Sequence, residues 1–382
     1  MRVLTVDIGT GTQDIFLYDS RLDLENGFKL VLPSPTMMVY RKIQEATRQR
    51  QTVVLNGYLM GGGPSQWAAE NHLQAGLPVF ATPEAALSFN DNLDVVRESG
   101  IQIISEDEAL QITGDACKLE LRDFDFHTIE QTFSAYGISL TDLAALAVAV
   151  FDHGAAPVGI SDRQFRFDYL DQRIREENKL SAFAYQSANI PPIMTRLKSV
   201  AKEAIKLDTP LIVMDTAPAA IFGTLFDPHV KDTPRKLIVN VGNFHTLAFR
   251  LGPAGIEGMF EHHTGLVDQT KLNQLLERLA SSTLKHEEVF NDHGHGALVY
   301  DHTPIDLSNN PDTGVIVTGP RRNMLKGSRL NPYFAVPFGD MMIAGCFGLL
   351  AATADILPEL RAPITASLTG KVKSGTPPWE ID

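Results

Sequence analysis

Cysteine is nearly absent: Cys117 and Cys346 are the only two in 382 residues. Two thiols exclude a disulfide framework. Within one chain they also cannot supply the cysteine cluster of an iron–sulfur or structural zinc site. Basic charge is in deficit, with 33 Lys and Arg against 46 Asp and Glu, a formal net charge of −13. Such a surface repels nucleic acid and anionic lipid, so neither is expected as a partner. Long apolar runs are missing as well, because the stretches 143–151 and 343–352 are too short to span a bilayer. A carboxylate, Asp7, stands where a secretory leader needs an apolar run. The expectation is a cytoplasmic protein. Its 44% hydrophobic and 21% charged residues are ordinary for a globular chain, and the length suggests two or three domains.

Strands and helices alternate along the chain. Residues 3–7 and 15–19 read as a β-hairpin around Gly9-Thr10-Gly11-Thr12, and residues 237–240 and 247–250 as a second around 241–246. Between them, strands are predicted at 52–56, 78–81, 101–105 and 143–150, with helices in between, an α/β pattern with parallel pairing. Pro191-Pro192 opens a predicted helix to residue 207. Leu272, Leu275, Leu276 and Leu279 mark an amphipathic helix with Asp268 as its cap. A strand at 315–318 ends at Gly319, an apolar helix runs over 341–354, and a surface-bound or mobile tail follows residue 358.

The two hairpins echo each other. Val3-Leu4-Thr5-Val6-Asp7-Ile8-Gly9 and Ile238-Val239-Asn240-Val241-Gly242 both run apolar strand, Asp or Asn, any residue, Gly. Two facing turns of this kind make a phosphate clamp. Backbone amides and threonine hydroxyls hold terminal phosphate oxygens, while a strand-end carboxylate orders Mg²⁺.

These residues carry a resemblance. Asp7-Ile8-Gly9-Thr10-Gly11-Thr12 resembles the first phosphate motif of the actin, sugar-kinase and Hsp70 ATPase superfamily, and 237–249 its second. The segment 214–220 is similar to the one preceding that second motif, and 315–319 to the adenosine strand and turn. The helices at 191–207 and 341–354 are placed like the two connectors between lobes. Within the superfamily the whole chain resembles a bacterial and archaeal family of unknown function, sometimes labelled pyruvate formate-lyase activating enzyme. A glycyl-radical activase would need three closely spaced cysteines, which Cys117 and Cys346 cannot provide.

The resemblance implies an α/β, two-lobed actin-like ATPase (ribonuclease H-like) fold with an α/β insertion in the first lobe. The expected division is 1–190 for the first lobe, 191–340 for the second, 341–360 for the connector helix returning to the first, and 361–382 for a tail. It implies ATP and Mg²⁺ as cofactors, held by Asp7, Gly9, Thr10, Gly11, Thr12 and Gln13 on one side. Asn240, Gly242, Asn243, Thr246, Thr318 and Gly319 hold them on the other. The usual aspartate of the second motif is Asn240 here, so more of the Mg²⁺ role falls on Asp7. Asp152, after an apolar strand, is the candidate general base for phosphoryl transfer to a small molecule. A non-catalytic or slow nucleotide switch acting on a partner protein is the alternative.

Histidines cluster with acids in the second half, and imidazole with carboxylate suits a transition metal. His153, His262, His263, His293 and His295 are the candidate ligands, and a metal-dependent hydrolase or transferase is the third reading. Two weaker anion signals complete the set: the basic group Arg321, Arg322, Lys326 and Arg329, and the glycine run 61–63 before a helix.

Overall fold

The computed structural model describes residues 1–231, 233–307, 314–371 and 378–380. Two six-stranded sheets repeat one plan. In the first, Phe28–Pro33, Thr12–Asp19 and Arg2–Ile8 form an antiparallel meander, and Leu143–Val150 then Leu211–Asp215 add in parallel. Ala184–Gln186 closes that edge. In the second, Gly255–His263, His245–Gly252 and Lys236–Val241 make the same meander, Val315–Thr318 then Tyr333–Phe334 add in parallel, and Gly296–Val299 pairs antiparallel on the outer edge of Gly255–His263. This duplication is the two-lobed α/β actin-like class expected from the sequence. The insertion in the first lobe is a separate parallel sheet of Gln102–Ile103, Val79–Ala81, Thr52–Gly57 and Ala116–Leu121.

Side-chain size along one strand sets how the first lobe packs. In Leu143–Val150, Ala145, Ala147 and Ala149 face one core, while Leu146, Val148 and Val150 face the other. The alanine face leaves room for the helix Ala344–Ile356, which is buried along nearly its whole length. The larger face packs on Phe124, Ile129, Phe133, Leu197 and Val200. In the second lobe, Leu272, Leu276 and Leu279 of Gln269–Ala280 are fully buried, each worth about 1.5–3 kcal/mol. Asp268 caps that helix as expected, its carboxylate accepting the Lys271 amide at 2.8 Å.

Three expectations need correction. Leu211–Asp215 lies beyond residue 190 yet pairs in the first sheet, because the apolar Leu143–Val150 strand offers it a parallel edge. The helix predicted at 191–207 is Thr195–Glu203, and it packs into the first lobe rather than acting as a connector. The helix that crosses Ala344–Ile356 is Thr216–Thr224. A Cβ at Gly223 would fall 1.7 Å from the Ala344 carbonyl oxygen, and one at Gly348 would fall 1.9 Å from that of Ala219. Finally, the expected tail begins as the helix Pro358–Leu368, seated by buried Leu360, Ile364 and Leu368. The remainder of that stretch, 372–377 and 381–382, lies outside the described residues. Among the described residues no helix is long and apolar enough to cross a membrane.

Candidate functional site

The two hairpin turns are built alike. Gly9 donates its amide to the Thr12 carbonyl at 2.9 Å, and Gly242 donates to the His245 carbonyl at 3.0 Å. Both turns line one cleft between the lobes, of about 320 Å³, with Asp7, Thr10, Thr12, Asn240, Asn243, Thr318 and Gly319 in its wall. They also touch, since a Cβ at Gly11 would sit 2.2 Å from Asn243 Nδ2. The strand-end polar residues have matching surroundings. A Cβ at Gly345 would sit 1.8 Å from Asp7 Oδ2, and one at Gly319 would sit 2.2 Å from Asn240 Oδ1. Gly319 has φ +96°, a conformation that favours glycine.

The base of the cleft is acidic. Asp7 and Asp14 face each other across the first hairpin. Burial pushes the Asp7 carboxyl up to about 7, offset in part by the Thr216 hydroxyl, which donates to Oδ1 at 2.5 Å. Burial and the neighbouring Asp7 push Asp14 up to about 8, and Asp14 Oδ1 has no hydrogen-bond partner. Asn240 Oδ1 on the opposite lobe is likewise buried without a partner. Paired carboxylates short of positive charge and unsatisfied oxygens are the donor set a hard divalent cation takes, so these residues fit Mg²⁺. Asp14 and Thr216 are site residues that the sequence reading missed. The antiparallel register, which puts residue 14 opposite residue 7, is the signal that would have found Asp14.

Asp152 lies in the cleft wall and is buried. Its Oδ1 accepts the Gly154 amide at 2.8 Å, and its Oδ2 accepts the Leu197 amide at 2.9 Å, in the first turn of Thr195–Glu203. Burial pushes its carboxyl up to about 6 against those two amides and the nearby Arg196 guanidinium.

Three expected phosphate-side residues stand elsewhere. Thr246 is fully buried behind its turn, sharing a hydrogen bond with Thr264, whose hydroxyl also donates to the Gly242 carbonyl. It braces the turn from the rear. Gln13 donates to the Pro33 carbonyl at 3.1 Å and is outside the lining, and Gly11 contributes through its contact with Asn243. None of the four basic residues at 321–329 lines the cleft, and Arg329 pairs with Glu277 at 2.8 Å instead. Gly61, Gly62 and Gly63 do line it, with Arg196 against Gly61.

The histidines divide sharply. His153 Nε2 and His295 Nε2 are 3.2 Å apart, and ligand atoms of His153, His245 and His295 all lie within 4.8 Å of one another. Burial lowers all three, His153 to about 3 and His245 well below the ordinary range. His263 packs beside them, its ring 4.8 Å from that of His295. His262 points the other way, toward Asp292 at 3.4 Å, because neighbours on a strand face opposite sides. His293 is exposed on a left-handed turn with φ +64° and does not join the cluster, contrary to its reading as a candidate ligand. His245, read from the sequence as part of a phosphate turn, is the third member.

Arg166, on Asp162–Glu176, holds the lobes beside this cluster. It donates to the Asp152 carbonyl at 2.8 Å and to Asp215 at 2.5 Å on the first lobe, and to Glu261 at 3.0 Å on the second. Its guanidinium also lies 3.9 Å above the Phe151 ring, which stacks on His245. Flanking carboxylates raise its pKa and hold it charged.

A family model described as "Putative pyruvate format-lyase activating enzyme (DUF1786)" matches residues 60–324, well over half of the chain. The chain belongs to this family. The matched span includes Asp152, Arg166, the 242–245 turn and all three clustered histidines, and it begins after the first turn. The two cysteines of this family member sit apart, Cys117 in the insertion sheet and Cys346 in the crossing helix. No curated protein matches the chain. Among solved structures, it is similar to ethanolamine utilization protein EutJ from Carboxydothermus hydrogenoformans, at 10% identity over 91% of this chain and 89% of that one, TM-score 0.32. It is also similar to an activator of 2-hydroxyisocaproyl-CoA dehydratase from Clostridium difficile with bound ADPNP, at 9% identity over 99% and 100%, TM-score 0.33. A Ppx/GppA family member from Aquifex aeolicus aligns at 9% identity over 97% and 98%, TM-score 0.26. Likenesses of this size carry no inference about what the chain binds.

Proposed function

We propose that the protein binds a Mg-nucleotide between its lobes and transfers the terminal phosphoryl group to a small-molecule acceptor. The supporting observation is that the two matched turns share one cleft and touch through Gly11 and Asn243. In this reading the amides of Thr10, Gly11 and Asn243, in turns closed by the Gly9 and Gly242 amides, hold the phosphate oxygens, and Thr318 and Gly319 flank the nucleoside. Asp7 and Asp14 hold the cation, which neutralises phosphate charge. The acceptor enters beside Gly61–Gly63, and Asp152 takes the proton of its attacking hydroxyl, with the phosphoryl group leaving the nucleotide for that oxygen. A carboxyl pushed up to about 6 suits such a base.

The acidic floor sharpens the test. Above about pH 8, where Asp7 and Asp14 have both lost their protons, a nucleotide polyanion meeting them without a cation is repelled, so binding there requires Mg²⁺. ATP with Mg²⁺ should raise Tm, a ligand at 100 times its Kd adding about 2.7 kcal/mol, while ATP in a chelator should not. Equal shifts under both conditions, or none with Mg²⁺, would refute the reading. One observation favours a second reading. Both Asp152 oxygens are already held by backbone amides, which suits a nucleotide-dependent switch acting on a partner protein. Product analysis of Asp152→Asn decides between them: transfer to an acceptor that falls at least about 100-fold supports the base, and unchanged turnover supports the switch.

A further inference from the structure

Beside the phosphate turns lies a cluster that nucleotide binding does not use. His153 follows the first-lobe strand Leu143–Val150, His245 sits at the corner of the second turn, and His295 precedes the strand Gly296–Val299. The three come from positions far apart, with 142 residues separating His153 from His295, and Phe151 packs on all three rings. Phe151 stacks flat on His245, with ring centroids 4.2 Å apart. The His295 ring packs against His153 at 5.4 Å.

The two imidazole nitrogens that face each other at 3.2 Å share one hydrogen bond, one ring donating and the other accepting. Around an ion they are well placed. Tetrahedral bonds of about 2.0–2.1 Å put neighbouring ligand nitrogens about 3.3 Å apart. Two further buried ring nitrogens, His245 Nε2 and His295 Nδ1, have no hydrogen-bond partner. His295 Nδ1 faces Glu261 Oε1 at 3.4 Å without hydrogen-bond alignment, so a small turn of the ring would complete the carboxylate–histidine pair that orients a ligand. Glu261 is fixed in turn by Arg166.

We propose that His153, His245 and His295 form a binding site for a divalent transition-metal ion of the zinc class, with its fourth position open to the cleft. Two of the three, His153 and His245, line that cleft, which gives the open position its direction. The site differs in kind from the carboxylate floor at Asp7 and Asp14: nitrogen ligands select zinc or cobalt over magnesium. One ligand comes from the first lobe and two from the second, so the ion would bridge them. His245 is also part of the second phosphate turn, which couples occupancy to the nucleotide side.

The test uses the full chain without nucleotide, so its outcome is independent of the phosphate-clamp reading. Purified protein is stripped with chelator and titrated with Co²⁺ alone, following visible absorption, and zinc content is measured after Zn²⁺ reconstitution. The expected result is about one ion per chain with the intense bands of a four-coordinate site. His153→Ala and His295→Ala should each lose at least about 10-fold in affinity, whereas His293→Ala and His262→Ala should bind as wild type does. No protein-dependent cobalt spectrum in the wild-type chain, or full binding in both His153→Ala and His295→Ala, would overturn the proposal. Because the wild-type titration decides by itself, misfolding of a variant cannot shelter it.

Discussion

At the residue scale, the site is governed by carboxyl groups deprived of water. Gly345 matters because of what stands beside it: a methyl there would fall 1.8 Å from Asp7 Oδ2 and must push the carboxylate aside. Gly345→Ala should keep the fold, since alanine is the better helix former by about 1 kcal/mol, yet weaken Mg·ADP binding at least about 10-fold by calorimetry, the cost of displacing one charged ligand by about 1.4 kcal/mol. Wild-type affinity in that variant would remove Asp7 from the cation site. A partly buried acid, Glu203, lies away from the cleft. Burial, with Asp123 nearby, pushes Glu203 up to about 9, although its oxygens accept the Phe124 and Asp123 amides. The folded chain therefore keeps a proton that the unfolded chain releases above its ordinary 4.5, and stability falls as pH rises from about 4.5 toward 9. Glutamine copies the protonated form. Glu203→Gln should match wild type near pH 4.5 and gain roughly 1–2 kcal/mol by pH 8, after discounting for partial exposure, as read from urea melts. A gain that is constant with pH would contradict the assignment.

At the scale of elements, the lobes are joined where two helices meet without side chains between them. Gly223 and Gly348 sit against backbone of the opposite helix, so neither tolerates a methyl unless the helices separate. Gly223→Ala should cost about 1–3 kcal/mol by overpacking, despite its higher helix propensity. Gly223→Ala combined with Gly348→Ala should cost less than the sum, because the first methyl already opens the crossing. Strict additivity in urea denaturation would show that the two contacts are independent. The same crossing explains what the sequence could and could not reveal. Hairpins at 2–19 and 236–252 were legible because apolar runs bracket glycine turns, and the helix at 341–354 was legible from its apolar run. The connector's partner was misassigned, since Pro191-Pro192 signals a helix start but not what the helix packs on. Phe28–Pro33 escaped notice as a half-exposed edge strand. Asp162–Glu176 escaped because charged residues interrupt its apolar periodicity, with buried Arg166 among them. Half of the site followed from local pattern. The histidine cluster did not, because only tertiary contact brings residues 153, 245 and 295 together.

At the scale of the whole molecule, the question is whether a ligand gripped by both turns changes how the lobes meet. Several links already tie them, among them the helix crossing, the Arg166 network joining Asp215 to Glu261, and an exposed contact at the cleft mouth. In the last, Trp67 of the insertion helix Pro64–Gln74 lies 5.9 Å from Phe244 of the second phosphate turn, ring to ring. Trp67 is 48% exposed, so the contact is peripheral and easily broken. The first two links are buried, the crossing through glycines and the Arg166 network through paired charges, which makes the mouth the place where opening costs least. A nucleotide held by amides from both lobes binds only when the turns are together and must shift the population toward that state. The sequence supplies its own reporter, because the only other tryptophan is Trp379, 83% exposed near the C-terminus. In Trp379→Phe protein, saturating Mg·ATP should move tryptophan emission to the blue as Trp67 is held against Phe244, and Phe244→Ala should abolish that shift. A red shift on binding would mean that the ligand separates the turns, and an unchanged spectrum at proven saturation would mean that the mouth does not move. The unchanged spectrum alone would place the lobe motion at the buried crossing instead, where Gly223→Ala should then alter Mg·ATP affinity.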